Sequence, residues 1–164
     1  MNKENQNSVP GDGGDKIAQP QKIYLKDVSF ESPQSPGIFT QGWKPNLDVE
    51  IDSHAQQIAD DTFDVVLKIT GTVTVEGNTA FLIEVHQAGI FVLKGFEPDK
   101  LQRLQHVFCL NTLYPYASAA LSDLVTKGGF PSLMLPPMNF AAIYDQRLQQ
   151  QMQSTNSGTV NTQH

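Results

Sequence analysis

Between Phe63 and Val75 the chain alternates with a period of two. Phe63, Val65, Leu67, Ile69, Val73 and Val75 share one parity, and Asp64, Lys68, Thr70, Thr72 and Thr74 take the other. That period belongs to a strand half-buried in a sheet, because successive side chains leave the pleat on opposite faces. Leu47, Val49 and Ile51 alternate in the same way with Asp48, Glu50 and Asp52. From Thr79 towards Val92, Phe81, Ile83 and Val85 lie on one face, with Leu82, Glu84 and His86 on the other. Ile23–Glu31 is strand-like and closes at Ser32-Pro33. Asp60-Asp61 resembles a turn between strands, and Gly77-Asn78 fits a hairpin. Short links favour an antiparallel meander, apart from the longer first crossover Gln34–Pro45.

The second half changes period. Pro98 to Phe108 places Leu101, Leu104 and Val107-Phe108 at helical spacing, and Leu113, Ala117, Ala120, Leu121, Leu124 and Val125 make an amphipathic stripe. Pro115 is tolerable only in the first turn of that helix. Lys127 followed by Gly128-Gly129 is a fitting stop. Asn139 can cap a last helix in which Phe140, Ile143, Tyr144, Leu148 and Met152 share a face. The sum is an α+β domain, an antiparallel sheet with helices packed on one side. Residues 1–21 and 154–164 are polar, lack apolar periodicity and read as disordered ends around a folded unit of 22–153.

At 164 residues the chain is long enough for one domain with a genuine core. A net charge of -6 and only two arginines, Arg103 and Arg147, argue against nucleic-acid or anionic-membrane binding. The single Cys109 excludes an internal disulfide and fits a reducing compartment. The N-terminus lacks the apolar stretch of a signal peptide, and no run reaches membrane-spanning length. The reading is soluble and cytoplasmic, with no membrane insertion.

Catalytic chemistry is sparse. His106 and Cys109 would share a helical face, but zinc needs a fuller ligand set; a core cysteine beside a surface histidine accounts for them. Glu84 and His86 lie side by side, as an acid–base couple or an ordinary solvated face. Gly11-Asp12-Gly13-Gly14 lacks the Lys-Ser/Thr ending of a phosphate loop. We expect no enzyme, no metal and no cofactor.

Surface chemistry is richer. In Gly128–Met152, Pro131, Pro136 and Pro137 force extended backbone on a segment carrying Phe130, Leu133, Met134, Leu135, Met138 and Phe140. The crossover likewise carries Phe39 and Trp43. Such residues either cap the core or wall an interaction groove. Asp27 and Glu31, of opposite parity to Lys26 and Phe30, together with Leu82 and Glu84 form either a seat for a basic partner or a plain solvated face. The small residues Ala117, Ser118, Ala119 and Ala120 allow close helix pairing with another copy.

The chain resembles the SecB family of bacterial protein-export chaperones. The resemblance covers Ile23 to about Gln149. It rests on Ile23-Tyr24-Leu25-Lys26-Asp27-Val28-Ser29-Phe30-Glu31-Ser32-Pro33, Ala59-Asp60-Asp61, Leu113-Tyr114-Pro115-Tyr116-Ala117, and Phe130-Pro131 through Leu135-Pro136-Pro137-Met138-Asn139-Phe140. It implies a four-stranded antiparallel sheet with helices on one face, assembled as a homotetramer, a dimer of dimers. It also implies an ATP-independent holdase that keeps unfolded preproteins export-competent and passes them to the SecA motor. The resemblance assigns the zinc-binding C-terminal tail of SecA to Asp27, Glu31, Leu82 and Glu84. It assigns the client groove to Phe39, Trp43, Phe130, Met138, Phe140 and Tyr144. Ile83, Val85 and Gln87, with Leu113, Ala117 and Leu121 of the helix, are expected at the oligomer interface. Leu110 and Ser118 depart from the family pattern, where proline and arginine are common, and bear on the dimer–tetramer balance. The rival readings are an adaptor of the same fold with one dedicated client, such as an antitoxin-associated chaperone, and a small hydrolase using His86 and Glu84.

Overall fold

The computed structural model describes residues 14–157. Four long strands, β1 (Ile17–Glu31), β2 (Pro45–Ala59), β3 (Thr62–Val75) and β4 (Asn78–Lys94), precede three helices, α1 (Pro98–His106), α2 (Phe108–Lys127) and α3 (Phe140–Ser157). The strands form one antiparallel sheet in the order β1-β4-β3-β2. The meander β2-β3-β4 follows the short links, and the crossover carries the chain across to set β1 beside β4.

Pairing explains where the elements begin and end. β1 starts at Ile17, before residue 22, because Ile17 and Ala18 pair with Lys94 and Leu93 and Ala18 packs against the core. α3 continues past residue 153 to Ser157, with the Ser154 and Thr155 hydroxyls donating to the carbonyls of Gln150 and Gln151. The domain boundaries therefore move outward at both ends. The remaining parts of the expected disordered ends, 1–13 and 158–164, lie outside the described residues.

Two local expectations shift. The β3–β4 hairpin turns on Glu76-Gly77, one residue earlier than Gly77-Asn78: both have positive φ (51° and 79°), and Val75 pairs with Asn78. Two left-handed residues make the type I′ turn, whose twist matches the strands it joins. Pro115 is also not in a first turn. α1 breaks at Val107 and α2 starts at Phe108, so Pro115 lies inside α2. Asn111, four residues before it, is exposed, so water can satisfy the carbonyl that proline leaves without an N–H.

The core lies between the sheet and α2. Cys109, Leu113, Ala117, Leu121 and Val125 recur every four residues and are all fully buried. They face the odd-numbered side chains of the two central strands, including Leu67, Ile69, Val73, Phe81, Ile83 and Val85. α2 ends as a Schellman motif: Phe130 N–H donates to Val125 O, Gly129 N–H donates to Thr126 O, and Gly129 holds φ 89°. The Asn139 Oδ1 accepts from the Ala142 N–H at 3.0 Å and caps α3.

A Cβ at Gly128 would stand 2.2 Å from Phe30 Cζ. Gly128→Ala is expected to displace that ring and to lower stability by about 1–3 kcal/mol in urea unfolding.

Candidate functional surfaces

Five aromatic rings form a column at one end of the sheet. Phe81 stacks on Phe30 (5.6 Å between centroids) and meets Phe130 (4.8 Å); Phe130 in turn meets Phe39 (5.0 Å) and Trp43 (5.6 Å). The column begins in the core and ends in solvent: Phe81 and Phe130 are buried, whereas Phe39 is 50% and Trp43 38% exposed. The crossover turn Gly37–Thr40, with Ile38 buried beneath it, holds Phe39 outward.

Beside this column a trough of about 430 Å³ runs between β2 and the proline-rich connector. Leu47, Val49 and Ile51 form one wall, and Tyr114, Leu135, Pro136 and Met138 the other. The Tyr114 hydroxyl donates to the Pro136 carbonyl at 2.5 Å and ties the connector to α2. Met138 lines this trough. The wall from β2 was visible in the sequence only as ordinary half-buried alternation, since nothing local indicated that β2 would be an edge strand.

Phe140 and Tyr144 behave differently. They are only 3% and 8% exposed, and they anchor α3 to the rest of the molecule. Phe140 meets Tyr114 edge to face, while Tyr144 stacks on His106 and lies under the Arg103 guanidinium. An Arg103–Asp145 ion pair closes the same joint. Phe130 is likewise buried at 5%, so of the six expected groove residues Phe39, Trp43 and Met138 offer surface. Phe130 supports the exposed rings from beneath, while Phe140 and Tyr144 line a small cavity of about 50 Å³ beside α3 together with Ile51, Leu110 and Ile143.

The opposite face of the sheet gathers the acidic set. In register across the strands run the rows Glu31–Leu82–Thr72–Asp48, Ser29–Glu84–Thr70–Glu50 and Asp27–His86–Lys68–Asp52. Asp27, Glu31, Leu82 and Glu84 therefore share one face, with Leu82 38% exposed among the carboxylates. Asp48, Glu50 and Asp52 extend this face, which the sequence showed only as the polar parity of β2. Glu84 accepts from His86 Nε2 at 2.5 Å and lies 3.6 Å from Lys68 Nζ. The His86 hydrogen bond, helped by Lys68, holds its carboxyl below the usual range.

Lys26 departs from the parity expected of it. Leu25 pairs with Gln87 and Asp27 with His86, so Lys26 is the extra residue of a β-bulge. Its ammonium reaches the Asp64 carboxylate on this same face, at 3.0 Å.

The six residues expected at the oligomer interface, Ile83, Val85, Gln87, Leu113, Ala117 and Leu121, are 0–5% exposed within the protomer. α2 and the sheet bury them against each other, so they have no surface to give a second copy directly. Cys109 is fully buried, which pushes its thiol up to about 12 and removes its nucleophilic character. His106 Nδ1 is engaged with the Gln102 carbonyl. Among the described residues no group of three or more His, Cys, Asp or Glu is placed to hold a metal ion, and no helix is long and apolar enough to cross a membrane.

The model of the preprotein translocase subunit SecB matches residues 14–151. The chain belongs to the SecB family. It is 50% identical over 135 residues to the protein-export protein SecB of Hydrogenovibrio crunogenus, covering 82% of this chain and 91% of that one. It is 49% identical over 142 residues to that of Nitrosococcus oceani, covering 85% and 86%. A solved SecB-like chaperone from Mycobacterium tuberculosis, in complex with an antitoxin peptide, superposes with a TM-score of 0.63 at 18% identity, over 74% of this chain and 91% of that one; it speaks to the fold. As a member of the SecB family the chain is a protein-export chaperone that binds unfolded proteins, and not an enzyme.

A carboxyl held low in the folded state adds stability above its unfolded value and loses it as pH falls through the folded one. Glu84 follows this sign. In Glu84→Gln the urea midpoint should fall less steeply than wild type between pH about 5 and 3.

Proposed function

We propose that the chain captures unfolded preproteins without ATP in the cytoplasm, as a homotetramer built as a dimer of dimers, and hands them to SecA through the acidic face of its sheet. The observation that carries the capture reading is the aromatic column, which ends in exposed Phe39 and Trp43 instead of closing over them. Unfolded chains expose apolar stretches that folded ones have buried. Removing such surface from water contributes roughly 25 cal/mol per Å².

The trough adds a second element. β2 pairs with β3 alone, so its outer edge keeps backbone N–H and C=O groups available to an extended client, next to the apolar wall of Leu47, Val49 and Ile51. Neither element reads sequence closely. Several such sites on one assembly hold a long client through effective concentration, while each segment still exchanges.

Assembly into a tetramer has surface to use. Leu25 and Val28 lie on the helix side of β1 but are 48% and 37% exposed, and Tyr116 of α2 is 53% exposed. Leu25 and Val28, at a sheet edge where they stay exposed, and Tyr116 on α2 suit burial against another copy. The six buried residues beneath would shape that contact.

For the hand-over, Asp27, Glu31 and Glu84 around Leu82 offer charge with a greasy centre to SecA's zinc-binding tail. The dedicated-client adaptor is the weaker reading. The relatives 42–50% identical to this chain are protein-export proteins, whereas the antitoxin-bound neighbour shares 18% identity.

Phe39→Ala with Trp43→Ala should weaken capture of a chemically unfolded client about tenfold, measured by suppression of aggregation, with the native mass unchanged. Wild-type suppression by the double variant would refute the groove assignment. Glu84→Lys should weaken a zinc-loaded peptide of the SecA tail at least tenfold in calorimetric titration and leave client capture intact. Superimposable titrations would remove the acidic face from the hand-over.

A further inference from the structure

The acidic face holds one carboxylate that the chain's own side chains cover. Asp64 sits on β3 among the outward-facing residues, yet it is only 9% exposed. Two groups from β1 cover it. The Tyr24 hydroxyl donates to Oδ1 at 2.7 Å, and the Lys26 ammonium donates to Oδ2 at 3.0 Å. Both reach over β4, the strand between β1 and β3. The Gln87 amide donates to the Tyr24 carbonyl at 2.9 Å and fixes the same stretch of β1 from the helix side.

This arrangement decides where a positive charge goes. Lys26 is the bulged residue directly before Asp27. It also lines an open cleft of about 250 Å³ with Asp52, Ser53, His54, Val66, Lys68 and His86, so its side chain has room to swing. On the β1–β4 side of the face stand three carboxylates, Asp27, Glu31 and Glu84, of which Glu84 already meets Lys68. A free ammonium added there would oppose any basic ligand.

We propose that Asp64 is a positioning residue for SecA-tail docking: it binds Lys26 at the bulge and keeps that ammonium off Asp27 and its neighbours. The inference rests on the acidic-face reading above. Asp64 touches no ligand; it acts through Lys26, and the Tyr24 hydroxyl holds its carboxylate in place.

The test uses the full-length chain and a zinc-loaded synthetic peptide of the SecA tail. Asp64→Asn keeps an acceptor for Tyr24 but releases Lys26. Affinity should fall about fivefold, the effect of one unit charge a few ångströms away in water-like surroundings. The dependence of log Kd on log salt should become shallower, and capture of an unfolded client should stay at the wild-type level. Adding Lys26→Met to Asp64→Asn should restore affinity to within about twofold of wild type. A merely structural lesion would not be repaired by a second deletion. Wild-type affinity in Asp64→Asn, or a double variant as weak as the single one, overturns the proposal. Should Asp64→Asn fail to fold, Lys26→Met alone decides: affinity equal to or above wild type supports the proposal, and a loss of about threefold or more overturns it. Failure of the acidic-face reading is separately visible, because Glu84→Lys would then also bind normally.

Discussion

The contact between α2 and the central strands organises this molecule. Five side chains at four-residue intervals on α2, from Cys109 to Val125, meet the odd-numbered face of β3 and β4 with no exposed area left between them. A pleated sheet has two faces, and a single helical layer can cover only one. The other face must therefore be polar, which is why the carboxylates of β1, β2 and β4 gather there. The helix is also too narrow to cover the sheet out to its edges. β1 keeps Leu25 and Val28 open on one side, and β2 keeps the trough open on the other.

This geometry separates the binding chemistries. The proposed capture surface lies at the margins of the helix-covered side, where aromatic rings continue outward from the core through Phe130 to Phe39 and Trp43. The acidic face proposed for the hand-over lies on the far side of the sheet. A client on the aromatic column and a basic peptide on the acidic face meet different sides of the same strands. Under the proposed hand-over, docking of the motor before the client leaves requires no shared contact. Phe81 belongs to the sheet core and to the base of the column alike, so the proposed capture surface rests directly on the buried core.

Much of this was legible in the residues. The period of two in β2, β3 and β4, the longer first crossover, the Gly128-Gly129 stop and the Asn139 cap all follow from local steric and hydrogen-bonding rules. The misreadings have physical causes. Pro115 was judged by local propensity, and the buried stripe of a twenty-residue helix outweighs one missing N–H. The ends of β1 and α3 were judged by composition, although pairing with β4 orders Ile17 and Ala18. The burial of Phe140 and Tyr144 was not legible either, because an apolar helix face does not reveal what lies opposite. Here the partners are Tyr114, His106 and Arg103 of the chain itself.

By itself the sequence determined the strand periods, the helix limits set by proline and glycine, and the pairing of Leu82 with Glu84 on one parity, because those depend on neighbours a few residues away. Only the tertiary structure decided which apolar residues stay in solvent and which partner each charge takes. Lys26 shows the difference: its parity assigns it to the core side, but one extra residue in β1 turns it outward, towards a carboxylate thirty-eight positions along the chain. Exposure and charge pairing are properties of surfaces brought together across the sheet. No periodicity within a single strand contains them.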